Sequence, residues 1–165
     1  MLHPAQLPIE KLLAECETKR TRGSGPGGQH RNKVETAIVV EHLPTGLRGE
    51  ASERRSQQQN RQQAIFRLRV KLALRVRHEP TAQLSKLWRQ RATSGRVSVN
   101  AQHEDFPALL AESLDVIDAN SYSIRTSAEF LGVTASQLVK FLKVEPAALV
   151  HVNRERQTRG DSPLR

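Results

Sequence analysis

Residues 22–72 read RGSGPGGQHRNKVETAIVVEHLPTGLRGEASERRSQQQNRQQAIFRLRVKL, and the Gly27-Gly28-Gln29 step near their start governs the reading of the whole chain. Two adjacent glycines let the backbone take positive φ and approach another molecule with no Cβ in the way, and Gln29 follows with an amide side chain and a main-chain N–H. Pro26 fixes φ just ahead of the pair. His30, Arg31 and Lys33 behind it supply cations suited to phosphate.

Commoner glycine motifs fit this stretch poorly. Gly23, Gly25 and Gly28 satisfy G-x-G-x-x-G, but a dinucleotide fingerprint needs an apolar strand before it and a helix after it. Here Cys16–Arg22 is polar and Val34–Val40 is β-branched and strand-like. A P-loop would place Lys and then Ser or Thr directly after Gly28, where this chain has Gln29 and His30. A surface loop with no further role is the plain alternative for a cluster of Gly, Ser and Pro.

Working outward, the pattern alternates strand and turn before it becomes helical. Pro8 opens a short helix through Ile9, Leu12 and Leu13, with Glu10 in its first turn. Cys16–Arg22 reads as a polar edge strand. Val34–His42 is a stronger strand, with Ala37 and Val39 on one face and Val34, Thr36, Ile38 and Val40 on the other. Pro44-Thr45-Gly46 signals a turn, and Leu47–Ser52 returns as the partner strand. From about Glu53 a long helix follows, in which Ile65, Leu68, Leu72 and Val76 form one apolar stripe able to cover the sheet. Leu84, Leu87 and Trp88 suggest another helical turn or two, and Ser94-Gly95 marks a break.

Beyond Phe106 the chain turns acidic and helical, with Leu109, Leu110, Leu114 and Ile117 in an amphipathic stripe. Residues 124–143, IRTSAEFLGVTASQLVKFLK, fit two short helices around Gly132, with Thr134 as a cap, and so resemble a helix-turn-helix. That geometry serves DNA binding in some proteins and plain helix packing in others. The net negative charge from residue 101 onward favours packing. The expected division is a domain over 1–92 followed by a helical extension over 93–165.

Charge points to a polyanion. The chain holds 26 Lys and Arg against 17 Asp and Glu, a net +9. The excess is confined to residues 21–100, with sixteen basic and five acidic groups; residues 1–20 balance, and 101–165 net −2. On the long helix and just before it, Arg54, Arg55, Arg61, Arg67, Arg69, Lys71, Arg75 and Arg77 have few acidic neighbours in sequence, the pattern of a nucleic-acid face. Aromatic residues make up only 4%, so recognition through backbone and shape is expected rather than base stacking. A single cysteine, Cys16, and scattered histidines support neither a disulfide framework nor a zinc site, and no metal or cofactor is expected. No membrane span or signal peptide is evident, so a cytoplasmic protein is expected.

Four blocks in order, the GGQ loop, the N-K-V-E-T-A strand start, the H-L-P-T-G hairpin and the run Glu53–Arg61 (ERRSQQQNR), resemble the catalytic domain of class I peptide chain release factors. The resemblance implies an α+β fold, a small mixed or antiparallel sheet packed on a long helix, with the helix-turn-helix-like region after it. It implies a domain that enters the peptidyl transferase centre of the ribosome, with rRNA and the P-site peptidyl-tRNA as partners. Gly27 and Gly28 would permit the backbone path, and Gln29 would position water and donate its N–H to the departing 3′-oxygen. Arg22, His30, Arg31 and Lys33 would hold RNA phosphates, and Arg54, Arg55 and Arg61 extend that surface.

The chain lacks the length that stop-codon-reading domains would need before the loop, so it looks like the short, codon-independent rescue factors. Residues 154–165 net only +2, unlike the strongly basic tail of one such group, and the C-terminal helices are expected to dock on RNA, a ribosomal protein or a recruiting partner. Two alternatives stay open: a non-catalytic ribosome or RNA-binding protein of the same fold, and a DNA-binding regulator using residues 124–143.

Overall fold

The structure is a computed structural model and describes residues 1–22 and 36–165. The chain forms two compact units, Pro4–Leu72 and the stretch Ala73–Arg165 together with Met1–His3.

The first unit is a three-stranded antiparallel sheet covered by one helix. Its strands are β1 (Cys16–Thr21), β2 (Ala37–His42) and β3 (Leu47–Ala51), in the order β1-β2-β3. Helix α1 (Ile9–Ala14) precedes the sheet, with Pro8 at its N-cap. The register sets Ile38 opposite both Arg20 and Ala51, and Val40 opposite both Thr18 and Gly49. Ile38 and Val40 therefore lie on the buried face, with 2% and 0% of their surface exposed. The hairpin between β2 and β3 closes on His42, whose ring bonds Thr45 Oγ1 at 2.8 Å and Glu15 Oε2 at 3.0 Å. Gly46 takes φ +70°, the left-handed turn that the P-T-G triplet calls for.

Helix α2 (Gln57–Arg75) lays Ala64, Ile65, Leu68 and Leu72 into the core. Gly49 sets how closely it approaches: a Cβ there would run into Ala64 O and stand 2.6 Å from Leu68 N. Basic residues on α2 also cover the outer edge of β3, because Arg67 donates to Glu50 O and Lys71 Nζ to Arg48 O, at 2.8 and 2.7 Å. An edge strand whose carbonyls are taken in this way is a poor template for pairing with another chain.

The second unit is mostly helical. Its elements are α3 (Lys86–Arg91), the short hairpin β4 (Ala92–Thr93) and β5 (Arg96–Val97), then α4 (Phe106–Ala119), α5 (Ile124–Leu131), α6 (Ala135–Lys143) and α7 (Pro146–Thr158). Most of α4 is buried, including Leu109, Leu110, Leu114 and Ile117. Phe141 of α6 meets Trp88 and Phe106 edge-on at 5.9 and 5.7 Å between ring centroids, and Trp88 Nε1 donates to Leu131 O at 2.8 Å. Gly132 ends α5 at φ +67°, and Thr134 caps α6 by accepting from Gln137 N. No helix among the described residues is long and apolar enough to cross a membrane.

Candidate functional site

Residues 23–35, which carry Gly27, Gly28, Gln29, His30, Arg31 and Lys33, lie outside the described residues. The scaffold on either side of them is described in full. Thr21 pairs with Ala37 in the β1–β2 ladder, so Arg22 and Thr36 leave the same end of the sheet as neighbours.

Thr36 is fastened there by a buried asparagine. Asn60, fully enclosed on the first turn of α2, donates from Nδ2 to Thr36 O at 2.8 Å and to Arg54 O at 2.9 Å. Its Oδ1 accepts from Arg54 N at 3.0 Å. Both amide protons and the carbonyl of one side chain are thus used on two separate stretches of backbone, as burial of a polar group requires. The contact holds residues 53–55 in a turn, which explains why α2 begins at Gln57, with Asn60 N bonded to Ser56 O, rather than at Glu53.

Beside this clamp, Thr18, Arg20, Ile38, Gln57, Gln58 and Arg61 line an open groove of about 580 Å³. Two arginines therefore flank the N-terminal end of a long helix that has no acidic residue in its first turn. The positive end of the helix dipole adds to their field. Arg20, Arg22, Arg54, Arg55 and Arg61 are exposed, and none of these side chains makes an ion pair or hydrogen bond among the described residues. Such cations are available to a polyanion.

Four other basic residues of the helical run, Arg67, Arg69, Lys71 and Arg77, have internal partners. Arg67 pairs with Glu53, and the charged hydrogen bond holds the Glu53 carboxyl down at about 2. Arg69 is buried and donates to Ala5 O; Lys71 serves Arg48 O; Arg77 pairs with Asp115. The eight basic residues have few acidic neighbours in sequence, yet these four are engaged, since backbone carbonyls satisfy much of what a count of acidic side chains misses. Arg20 is the residue that sequence reasoning passed over. The signal was its alternation with Thr18 on β1, which puts it on the face that meets α2. Among the described residues, no three His, Cys, Asp or Glu side chains gather as metal ligands would.

An antiparallel sheet covered by one long helix, with exposed arginines that make no ion pair among the described residues near the end where Arg22 and Thr36 stand, defines an α+β domain. Residues 8–107 match the RF-1 domain, and the chain belongs to that family. It is 38% identical over 106 residues to peptide chain release factor 1 of Leptothrix cholodnii, a match covering 64% of this chain and 27% of the relative. It is 37% identical over 106 residues to peptide chain release factor 1 of Geobacter sulfurreducens, with the same coverage. To the chloroplastic peptide chain release factor PrfB1 of Arabidopsis thaliana it is 39% identical over 79 residues, 48% of this chain and 17% of that protein. The matched region spans about a quarter or less of these relatives.

Proposed function

We propose that this protein hydrolyses the ester of peptidyl-tRNA on the ribosome without reading a stop codon, freeing nascent chains from stalled complexes. The observation that carries the reading is the placement of the GGQ-bearing segment within an RF-1 domain: its two ends emerge side by side from the sheet, and Asn60 locks one of them to α2. Arginines that make no ion pair among the described residues lie at that end of the domain.

In this mechanism RNA of the peptidyl transferase centre holds the ester, and the protein supplies positioning and charge stabilisation. Gly27 and Gly28 permit the backbone to reach the ester. The Gln29 side chain orients water, and its main-chain N–H donates to the 3′-oxygen as the bond to the acyl carbon breaks. One preorganised donor of this kind typically contributes about 3 to 4 kcal/mol, and water positioning adds to it. Arg22, Arg31 and Lys33 hold the segment against phosphates, while His30, Arg54, Arg55 and Arg61 widen the basic surface. The reaction places the protein in the compartment of its ribosomes, the cytoplasm in a bacterial setting.

Release of labelled peptide from ribosomes stalled on mRNA of different lengths tests the codon-independent part. Hydrolysis on a message truncated at the P site, with no stop codon present, supports it. Activity only when a stop codon fills the A site contradicts it.

A further inference from the structure

The proposed hydrolysis leaves the helical unit without a role, yet its charges are sorted. Residues 85–98 and 134–143, which form α3, the β4–β5 hairpin and α6, contain six basic residues and no acidic one. Residues 99–133, largely α4 and α5, contain six acidic residues and one basic. A count over the whole region hides this division.

The basic elements are also neighbours in space. Trp88 of α3 stacks edge-on against Phe141 of α6, and Thr134 N, at the start of α6, donates to Gly95 O in the hairpin turn at 2.8 Å. Helix-turn-helix α5–α6 thus carries the hairpin against its second helix, as a wing. Among the described residues Arg91 alone of the six cations is engaged, with Asp105 and His103. Lys86, Arg89, Arg96, Lys140 and Lys143 are exposed and make no ion pair or side-chain hydrogen bond among the described residues.

We propose that α3, the β4–β5 wing and α6 form a second nucleic-acid surface, which binds the phosphate backbone of duplex RNA without reading its sequence. A helix that reads bases presents long polar side chains from its N-terminal end. Here that end offers Ala135 and Ser136, both small and exposed, while the lysines sit in the last turn. Gln137, half-buried, is the one long polar side chain in that turn, so phosphate contact through the lysines outweighs base readout. RNA is favoured over DNA because the major groove of an A-form duplex admits no helix, so binding across its backbone needs no base readers. This choice rests on the ribosomal reading above.

Fluorescence anisotropy of a labelled RNA hairpin, titrated with the full-length protein at several KCl concentrations, tests the surface. The comparison variant carries Lys86→Gln, Arg89→Gln, Arg96→Gln, Lys140→Gln and Lys143→Gln, all at exposed positions, with folding checked by circular dichroism. We expect at least tenfold weaker binding at moderate salt and a slope of log K against log salt shallower by about 2 or more, given ~0.9 per phosphate neutralised on a duplex. Two hairpins of unrelated sequence should bind equally. Unchanged affinity and slope in the variant would overturn the proposal and leave an acidic protein partner as the better reading of the five cations. Strong discrimination between hairpin sequences, or a preference for DNA duplex, would also overturn it. The assay involves no ester and no ribosome, so a protein that binds RNA here yet releases no peptide counts against the hydrolase reading alone.

Discussion

Asn60 donates to Thr36 O across the base of the glycine-bearing segment, at 2.8 Å and away from solvent. The same amide closes two further bonds with the Arg54 backbone. Asn60→Ala leaves three backbone groups without this partner, and each unsatisfied buried group costs about 1 to 3 kcal/mol. Denaturant unfolding of this variant should show a loss of at least about 2 kcal/mol. Asn60→Asp should be no better near neutral pH, because a carboxylate faces the Thr36 and Arg54 carbonyls. An Asn60→Ala protein as stable as the wild type would show that the clamp is not made.

The glycines of the hairpin and of β3 should differ sharply. At Gly49 an added Cβ meets Ala64 O and lies 2.6 and 2.8 Å from Leu68 N and Cβ, so Gly49→Ala must push α2 off the sheet, at about 1 to 3 kcal/mol or more. At Gly46 nothing lies within 4 Å, and only the φ of +70° penalises alanine, by about 1 kcal/mol. Thermal melts should rank Gly49→Ala below Gly46→Ala. The reverse order would mean the helix does not approach the strand this closely.

Acid should weaken the fold in two windows. Burial pushes the His3 imidazole down from 6.5 to about 4; the bond from Nε2 to Val76 O opposes this, and the charges of His78 and Arg77 add to it. The unfolded chain therefore binds a proton that the folded chain refuses, and stability falls as pH drops from 6.5 toward 4. His151 is also lowered by burial and acts in the same direction, whereas Asp115 is raised by burial and opposes it. Below about 4.5 the unfolded chain protonates Glu53 while Arg67 holds the folded carboxyl down at about 2, so stability falls further as pH drops from 4.5 toward 2, a smaller loss at this exposed site. Melting temperatures of His3→Gln, which keeps a donor for Val76 O, should decline less between pH 6.5 and 4 than those of the wild type. Parallel curves would contradict the buried neutral histidine.

Much of the scaffold was legible in residue pattern alone. The alternation of Ala37–Val40 gave the two faces of β2, and the Ile65, Leu68, Leu72 stripe gave the helix face, although the helix ends at Arg75 before Val76. Gly132 and Thr134 marked the α5–α6 turn because each has one strong local role, a left-handed C-cap and an N-cap. The β4–β5 hairpin was not legible: two-residue strands carry no period, and Ser94-Gly95 showed only a break. Helix α7 was hidden in a charged C-terminal stretch whose buried face rests on Ala148 and Val152. The role of Asn60 was invisible for another reason, since its partners are backbone atoms distant in sequence. The glycine-bearing residues 23–35 remain a sequence-based assignment.

Two substitutions at Gln29 separate its side chain from its backbone. If the N–H is the donor to the leaving oxygen, Gln29→Ala should retain measurable peptidyl-tRNA hydrolysis on ribosomes, while Gln29→Pro should lose a further 100-fold or more, roughly the worth of one oxyanion donor. Equal loss in single-turnover release assays would refute the backbone role.

The central claim is tested most directly by mixing purified protein with ribosomes arrested on a truncated message and counting the labelled peptide set free. Wild type should release it, and Gly28→Ala, if the glycine needs positive φ, should fall by two or more orders of magnitude while still binding the ribosome. No release by wild type from any arrested complex, or release by Gly28→Ala at the wild-type rate, would contradict the account.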